Sequence, residues 1–208
     1  EGSPVSQEVL DAAAPSAVRI TNRTCGQVQT GSGFVVGENV IVTNAHVVAA
    51  ADAVSVETAD GARATGQVVT FDPSTDLALV AAAIDRPALP VAAPGDGDQG
   101  LVLGFPRGGP FEPSPFEVGE QLSATGYDIY DRAVVRRELL ALASALEPGD
   151  SGSAVLRADG SVIGVAVAIA PDRRDVAYAL SSSELDEMLD GLAGRTLSAP
   201  VDTGPCLR

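Results

Sequence analysis

Apolar residues alternate with polar ones over most of this chain, in short segments that end at Gly, Asn, Asp or Pro. A period of two marks strands with one buried face. The pattern predicts strands over 17–23, 32–37, 39–44, 53–58, 62–72 and 77–83. A second series follows over 100–106, 120–130, 133–145, 153–170 and 176–180. Within 153–170, Ala158-Asp159-Gly160 separates two apolar runs and predicts a hairpin.

Only the ends of the chain change period. Val5, Val9, Leu10 and Ala13 recur at helical spacing before Pro15, which predicts a short N-terminal helix. Near the other end Ser181 precedes Glu184 as in a capping box, and Leu185, Met188, Leu189 and Leu192 form one apolar face. That face reads as core packing. Residues 86–97 carry prolines and glycines without periodicity, which reads as a linker between two modules, 1–90 and 91–208. The proline-rich stretch 108–116 reads as a surface loop.

Composition agrees with an all-β chain: 45% of the 208 residues are apolar, and 22 Gly and 14 Pro suit many strands joined by tight turns. A net charge of −15 argues against a nucleic-acid partner, because phosphate binding needs a clustered basic face. All 13 basic residues are arginine. The missing lysine excludes a Ser-Lys dyad, a Schiff base and a P-loop. No apolar run is long enough to span a bilayer. The start at Glu1 without a methionine reads as a processed or truncated segment that has lost its targeting sequence. Cys25 and Cys206 make a poor metal site in a chain with one histidine; they suit a disulfide in an oxidising compartment, or stand as two unrelated thiols.

The chemistry concentrates at two places. In Glu147-Pro148-Gly149-Asp150-Ser151-Gly152-Ser153, a serine between glycines suits a nucleophile on a tight turn. There Gly149 would let the amides of Gly149 and Ser151 converge on one oxygen, and Gly152 would leave room for a substrate carbonyl. The same motif also occurs as an ordinary β-turn. A serine hydroxyl needs a base, and the base needs an acceptor that fixes its tautomer. His46, the only imidazole, ends the apolar strand Val40-Ile41-Val42-Thr43; it could equally be a buried side chain bonded to backbone. A metal role fails for want of partner ligands. Asp76 directly precedes a strand and could aim inward, whereas Asp72 before Pro73 looks like a turn former.

The segments GSGFVV, VTNAHVV, DLALV and GDSGSAV, in the order His, Asp, Ser, resemble the chymotrypsin-fold serine proteases, and most of all the bacterial branch that includes the HtrA-type enzymes. Through GFPRGGPFEPSP, YDIYDRAVVRRE and YAL the likeness extends over nearly the whole chain, toward the membrane-anchored acid-resistance proteases of actinobacteria. The resemblance implies two six-stranded antiparallel β-barrels with short terminal helices and a site in the cleft between them. His46 and Asp76 would come from the first barrel and Ser151 from the second. It further implies an oxyanion hole from Gly149 and Ser151, and a specificity pocket lined by Ala145, Val165, Ala166, Val167 and Ala168. A Cys25–Cys206 disulfide is also implied. The pocket residues are small and apolar, so an uncharged substrate side chain is expected there.

The family further implies a periplasmic monomer without cofactor, anchored by an N-terminal membrane segment outside this chain. Its role would be cleavage of envelope proteins under acid or oxidative stress. The chain departs from that branch at Asp150, where asparagine is frequent, and at Ser153-Ala154, where Gly-Pro is frequent. Two rival classes are a catalytically silent binding module of the same fold, disfavoured by the three triad residue types, and a protease with an attached peptide-binding domain. For the latter, the residues after Ser151 leave little room within this chain.

Overall fold

The structure is a computed structural model that describes residues 3–170, 172–192 and 199–207. Its first six strands, β1 (Ala17–Thr24), β2 (Gln27–Gly37), β3 (Val40–Thr43), β4 (Val54–Thr58), β5 (Arg63–Asp72) and β6 (Leu77–Ala82), close into a barrel in the order β1-β2-β3-β6-β5-β4. The next six, β7 (Gln99–Gly104), β8 (Glu112–Tyr127), β9 (Val134–Ala143), β10 (Ala154–Arg157), β11 (Val162–Ile169) and β12 (Val176–Ser181), close in the order β10-β11-β12-β9-β8-β7. Every pairing is antiparallel, as the alternating pattern requires of strands with one solvated face.

Each barrel encloses its own core. Val18, Ile20, Val35, Ile41, Val56, Val68 and Val80 fill the first, and Val102, Phe116, Leu140, Leu142 and Ile163 fill the second. A third cluster draws on both barrels: Phe34, Leu77 and Leu79 from one side meet Leu101, Leu103, Leu156 and Leu180 from the other. Strands that face their own core on one side and the neighbouring barrel on the other read as nearly continuous apolar runs, as in Leu77-Ala78-Leu79-Val80.

Three α-helices accompany the strands among the described residues. α1 (Gln7–Ala13) is capped by Ser6, whose side chain accepts the Val9 amide. α2 (Ala45–Val48) is a single turn after β3. α3 (Ser182–Asp190) is capped by Ser181, and its buried Leu185 joins the cluster between the barrels. Residues 193–195 of the expected terminal helix motif lie outside the described residues.

One expectation changes. Residues 112–116 are not loop but the start of β8, with Pro113 opposite Leu103 and Pro115 opposite Leu101. The Pro115 carbonyl accepts the Ser144 hydroxyl, so the hydrogen-bonding edge of Pro115 faces away from β7 and its missing N–H costs the ladder nothing. Residues 86–97 join the barrels and touch both. Leu89 is buried and its amide donates to the Val35 carbonyl, while Val91 bridges to Val162.

After α3 the chain returns to the first barrel. The Val201 amide donates to Val68, the Thr203 hydroxyl to the Ala51 carbonyl, and the Tyr130 hydroxyl of the β8–β9 turn to the Thr203 carbonyl. Cys206 then bonds Cys25 across 181 residues of chain. Loop closure of this length stabilises by roughly 3–5 kcal/mol through the unfolded state. Replacing both cysteines by serine should lower the unfolding free energy by about that amount in guanidinium titrations. The native circular dichroism should persist without denaturant, because the returning segment keeps its hydrogen bonds.

Candidate active site

The chain turns sharply at the end of β3, and the single helical turn α2 lifts His46 to the rim of the first barrel, where its side chain is about a quarter exposed. Asp76 lies just before β6, which pairs with β3, so the register that closes the barrel sets the two residues side by side. Its carboxylate makes two bonds to one residue. Oδ1 accepts the His46 backbone N–H at 2.9 Å, and Oδ2 lies 2.7 Å from His46 Nδ1. With Nδ1 carrying the proton, Nε2 is left as the free lone pair, which is the tautomer a general base needs. Asp76 is buried and adopts φ +63°, a conformation that asparagine and aspartate tolerate better than other side-chain-bearing residues. Its backbone carbonyl is held by the Ala45 amide and the Asn44 side chain, which fixes that backbone. Asp72 is the turn former expected of it: its carboxylate accepts the Ser74 amide and the Thr75 hydroxyl.

Ser151 sits on the turn between β9 and β10 and lines a cavity of about 220 Å³. No hydrogen bond joins its hydroxyl to His46, a contact that commonly tightens only when substrate is bound. Within the turn, the amides of Asp150, Gly152 and Ser153 donate to Glu147, Ala166 and Asp150 carbonyls. Among the described residues, the amides of Gly149 and Ser151 have no protein acceptor. Two free, adjacent N–H groups beside a hydroxyl can stabilise a developing oxyanion.

Gly149 has φ +106°, and a Cβ there would lie 2.7 Å from the Phe105 carbonyl, so only glycine fits. Gly152 serves another purpose than the one expected. A Cβ there would lie 2.1 Å from the Ser32 carbonyl, so the space beside it is filled by β2 of the first barrel rather than left for a substrate carbonyl.

The cavity beside Ser151 is lined by Leu146, Pro148, Ala166, Val167, Ala168 and Ile169, with Glu147 and Asp150 also at its wall. Ala166, Val167 and Ala168 thus line the cavity beside Ser151. Val165 is buried in the cluster between the barrels, and Ala145 lines a neighbouring cavity instead. Leu146, Pro148 and Ile169 escaped the sequence reading: the first two belong to the segment that carries Ser151, and a bulge near Val167 shifts which side chains of β11 face the opening.

A family model, the trypsin-like peptidase domain, matches residues 31–165. The chain belongs to the trypsin-like serine proteases. It is 35% identical over 210 residues to the serine protease Rv3671c of Mycobacterium tuberculosis, covering 98% of this chain and 52% of that protein. The crystal structure of the active form of Rv3671c protease superposes with a TM-score of 0.91 at 34% identity, over 100% of this chain and 94% of that one. The DegP-like periplasmic serine endoprotease of Chlamydia muridarum is 36% identical over 143 residues, 67% of this chain and 28% of its own length. This trypsin-like chain thus spans about half the length, or less, of these curated relatives.

The residue before the serine of this protease carries the one strongly shifted carboxyl near the site. Asp150 is buried, its Oδ2 accepts the Glu147 amide, and its Oδ1 has no partner, as the nearby Ser153 hydroxyl also has none. Gly104 makes room for it, since a Cβ there would lie 2.2 Å from Oδ1. Burial pushes the Asp150 carboxyl up from 3.8 to about 6, opposed by the Glu147 amide bond and helped by the charges of Glu147 and Glu112.

The folded protein therefore binds this proton more tightly than the unfolded chain does, and stability falls as pH rises from about 4 through about 6. Asp150→Asn keeps an acceptor for the Glu147 amide and supplies a donor for Ser153. Its Tm should exceed the wild type's by on the order of 4 °C at pH 7.5, shrinking to nothing near pH 4 in scanning calorimetry.

Proposed function

We propose that this chain is the catalytic domain of a serine endopeptidase that works by acyl transfer, with His46, Asp76 and Ser151 as its triad. The supporting observation is the doubly bonded His46–Asp76 pair on the first barrel together with the two free amides beside Ser151 on the second. A bond forms between Ser151 Oγ and the substrate carbonyl carbon as the hydroxyl proton passes to His46 Nε2. The carbonyl electron pair moves onto oxygen, where the Gly149 and Ser151 amides receive it; one such donor is worth roughly 3 kcal/mol. Collapse expels the amine, which takes the proton from Nε2 and leaves an ester on Ser151. Water then repeats the sequence. Asp76 keeps its charge throughout and stabilises the imidazolium.

The wall of Ala166, Ala168, Leu146, Pro148 and Ile169 fits a small or medium apolar substrate side chain. Two carboxylates stand nearby, but neither is available as a counter-charge for arginine or lysine. Glu147 is paired with Arg107 at 3.1 Å, and Asp150 is turned into the protein. The protease acts outside the cytoplasm on cell-envelope proteins, in acid or oxidative stress, as a monomer joined to the membrane by a segment outside this chain. In support stand the periplasmic description of the DegP-like relative and the Cys25–Cys206 bond, which belongs in an oxidising compartment. No helix among the described residues is long and apolar enough to cross a membrane.

A fluorophosphonate probe should label the folded protein at one site, lose all labelling in Ser151→Ala and most of it in His46→Ala. Folded wild type that takes no label would overturn the protease reading in favour of a silent binding module. In a peptide library varied at the residue before the scissile bond, cleavage should concentrate after Ala, Val or Leu. Dominant cleavage after Arg would refute the pocket assignment alone.

A further inference from the structure

The free amides of Gly149 and Ser151 raise the question of what holds their peptide planes in place. All peptide bonds among the described residues are trans, so a C=O fixed in one direction fixes the following N–H in the opposite one. The Pro148 carbonyl accepts the Arg107 amide at 2.6 Å, which turns the Gly149 N–H outward. The Gly149 carbonyl accepts the Ser32 hydroxyl at 2.7 Å, which turns the Asp150 N–H inward to Glu147. The Asp150 carbonyl accepts the Ser153 amide, which turns the Ser151 N–H outward, and the Ser151 carbonyl accepts the Ser32 amide at 2.8 Å.

Ser32 thus holds two of these four carbonyls, yet it belongs to β2 of the other barrel. It is fully buried. Its Oγ also accepts the Phe105 amide at 3.1 Å, so its single hydrogen is directed at Gly149. Thr43, just after β3 leaves its partner β2, donates to the Ser32 carbonyl at 2.7 Å and fixes the residue from below.

The same barrel reaches the turn a second time. Arg19 of β1 donates through Nη1 to the Gly108 and Gly109 carbonyls at 2.8 and 3.1 Å, while its Nη2 is held by Glu57 at 2.9 Å. Those carbonyls belong to the tight turn after β7 that presents the Arg107 amide, with Arg107 at φ +56°.

We propose that Ser32 is a positioning residue for the oxyanion amides: its hydroxyl locks the Gly149–Asp150 peptide, the plane between the two donor peptides, from the opposite barrel, and Arg19 supports the Pro148–Gly149 plane through the 106–109 turn. The inference rests on the protease reading and deepens it, since it assigns the first barrel a part in stabilising the transition state beyond carrying the histidine and aspartate. Such a residue acts on the tetrahedral state and hardly on substrate binding.

The test uses the full chain with a peptide substrate cleaved by the wild type and a peptide aldehyde that forms a tetrahedral adduct with serine. Folded protein is counted by circular dichroism. Ser32→Ala should lower kcat about a hundredfold and weaken the aldehyde by a similar factor, with KM within about threefold. Arg19→Met, which keeps the side-chain stem at a partly exposed position, should lower kcat about tenfold with the same KM. Folded Ser32→Ala with wild-type kcat and aldehyde affinity overturns the proposal, as does a loss confined to KM. Should Ser32→Ala not fold, unchanged kcat in Arg19→Met overturns it.

A wild type that cleaves nothing refutes the protease reading instead, and the amide resonances of Gly149 and Ser151 then decide between the outcomes. A sharp pair in the wild type that shifts and broadens in Ser32→Ala, or in Arg19→Met if the former does not fold, supports the lock; an unchanged pair refutes it.

Discussion

The molecule depends on one seam, where the turn of the second barrel that carries Ser151 lies against Gly31 and Ser32 of the first. The approach is so close that a Cβ at Gly152 would overlap the Ser32 carbonyl and one at Gly31 would lie 3.2 Å from the Ser151 carbonyl oxygen. A catalytic group shared between two barrels is only as well placed as the contact between them. Apolar packing alone, being non-directional, would let the barrels slide by fractions of an ångström. The hydrogen bonds from Ser32 to Gly149 and Ser151 remove that freedom, because buried, charge-free bonds of this kind are costly to break when both partners are sealed from water. The returning C-terminal segment with its disulfide ties the end of the chain beyond the second barrel to the first, on a different surface and by different means.

The other half of the site is built on a different principle. His46 and Asp76 are joined within one barrel, and their geometry follows from the β3–β6 register rather than from any contact between barrels. Asp76 spends both carboxylate oxygens on His46, one on the backbone and one on the ring. The ring is thereby fixed relative to its own main chain, so the proposed base is pre-formed whatever the second barrel does. Only the turn that carries Ser151 relies on the seam.

Much of this could be read from the chain. The period-two patterning gave the strands of both barrels because each strand has one solvated face, and His46, Asp76 and Ser151 stood out by chemistry and by order. Three features stayed hidden for identifiable reasons. Pro113 and Pro115 are punctuation in any local reading, and only the neighbouring Ser144 shows that their unpaired edge points away from the ladder. The pocket wall differs from the expected Ala145 and Val165 because the segment before Ser151 contributes Leu146 and Pro148, and a bulge in β11 changes which of its residues face the cavity without changing the sequence period. Ser32 looked like one more strand residue. Its flanking glycines were the available signal, since paired glycines inside a strand mark close approach by another backbone.

The departure at Asp150 acquires a physical meaning once its surroundings are known. A carboxyl buried beside Glu147 and Glu112, with no cation among its neighbours, is least costly when neutral, so acidification relieves the nucleophile turn. The proton that acid supplies to Asp150 therefore favours the turn on which the Gly149 and Ser151 amides are carried.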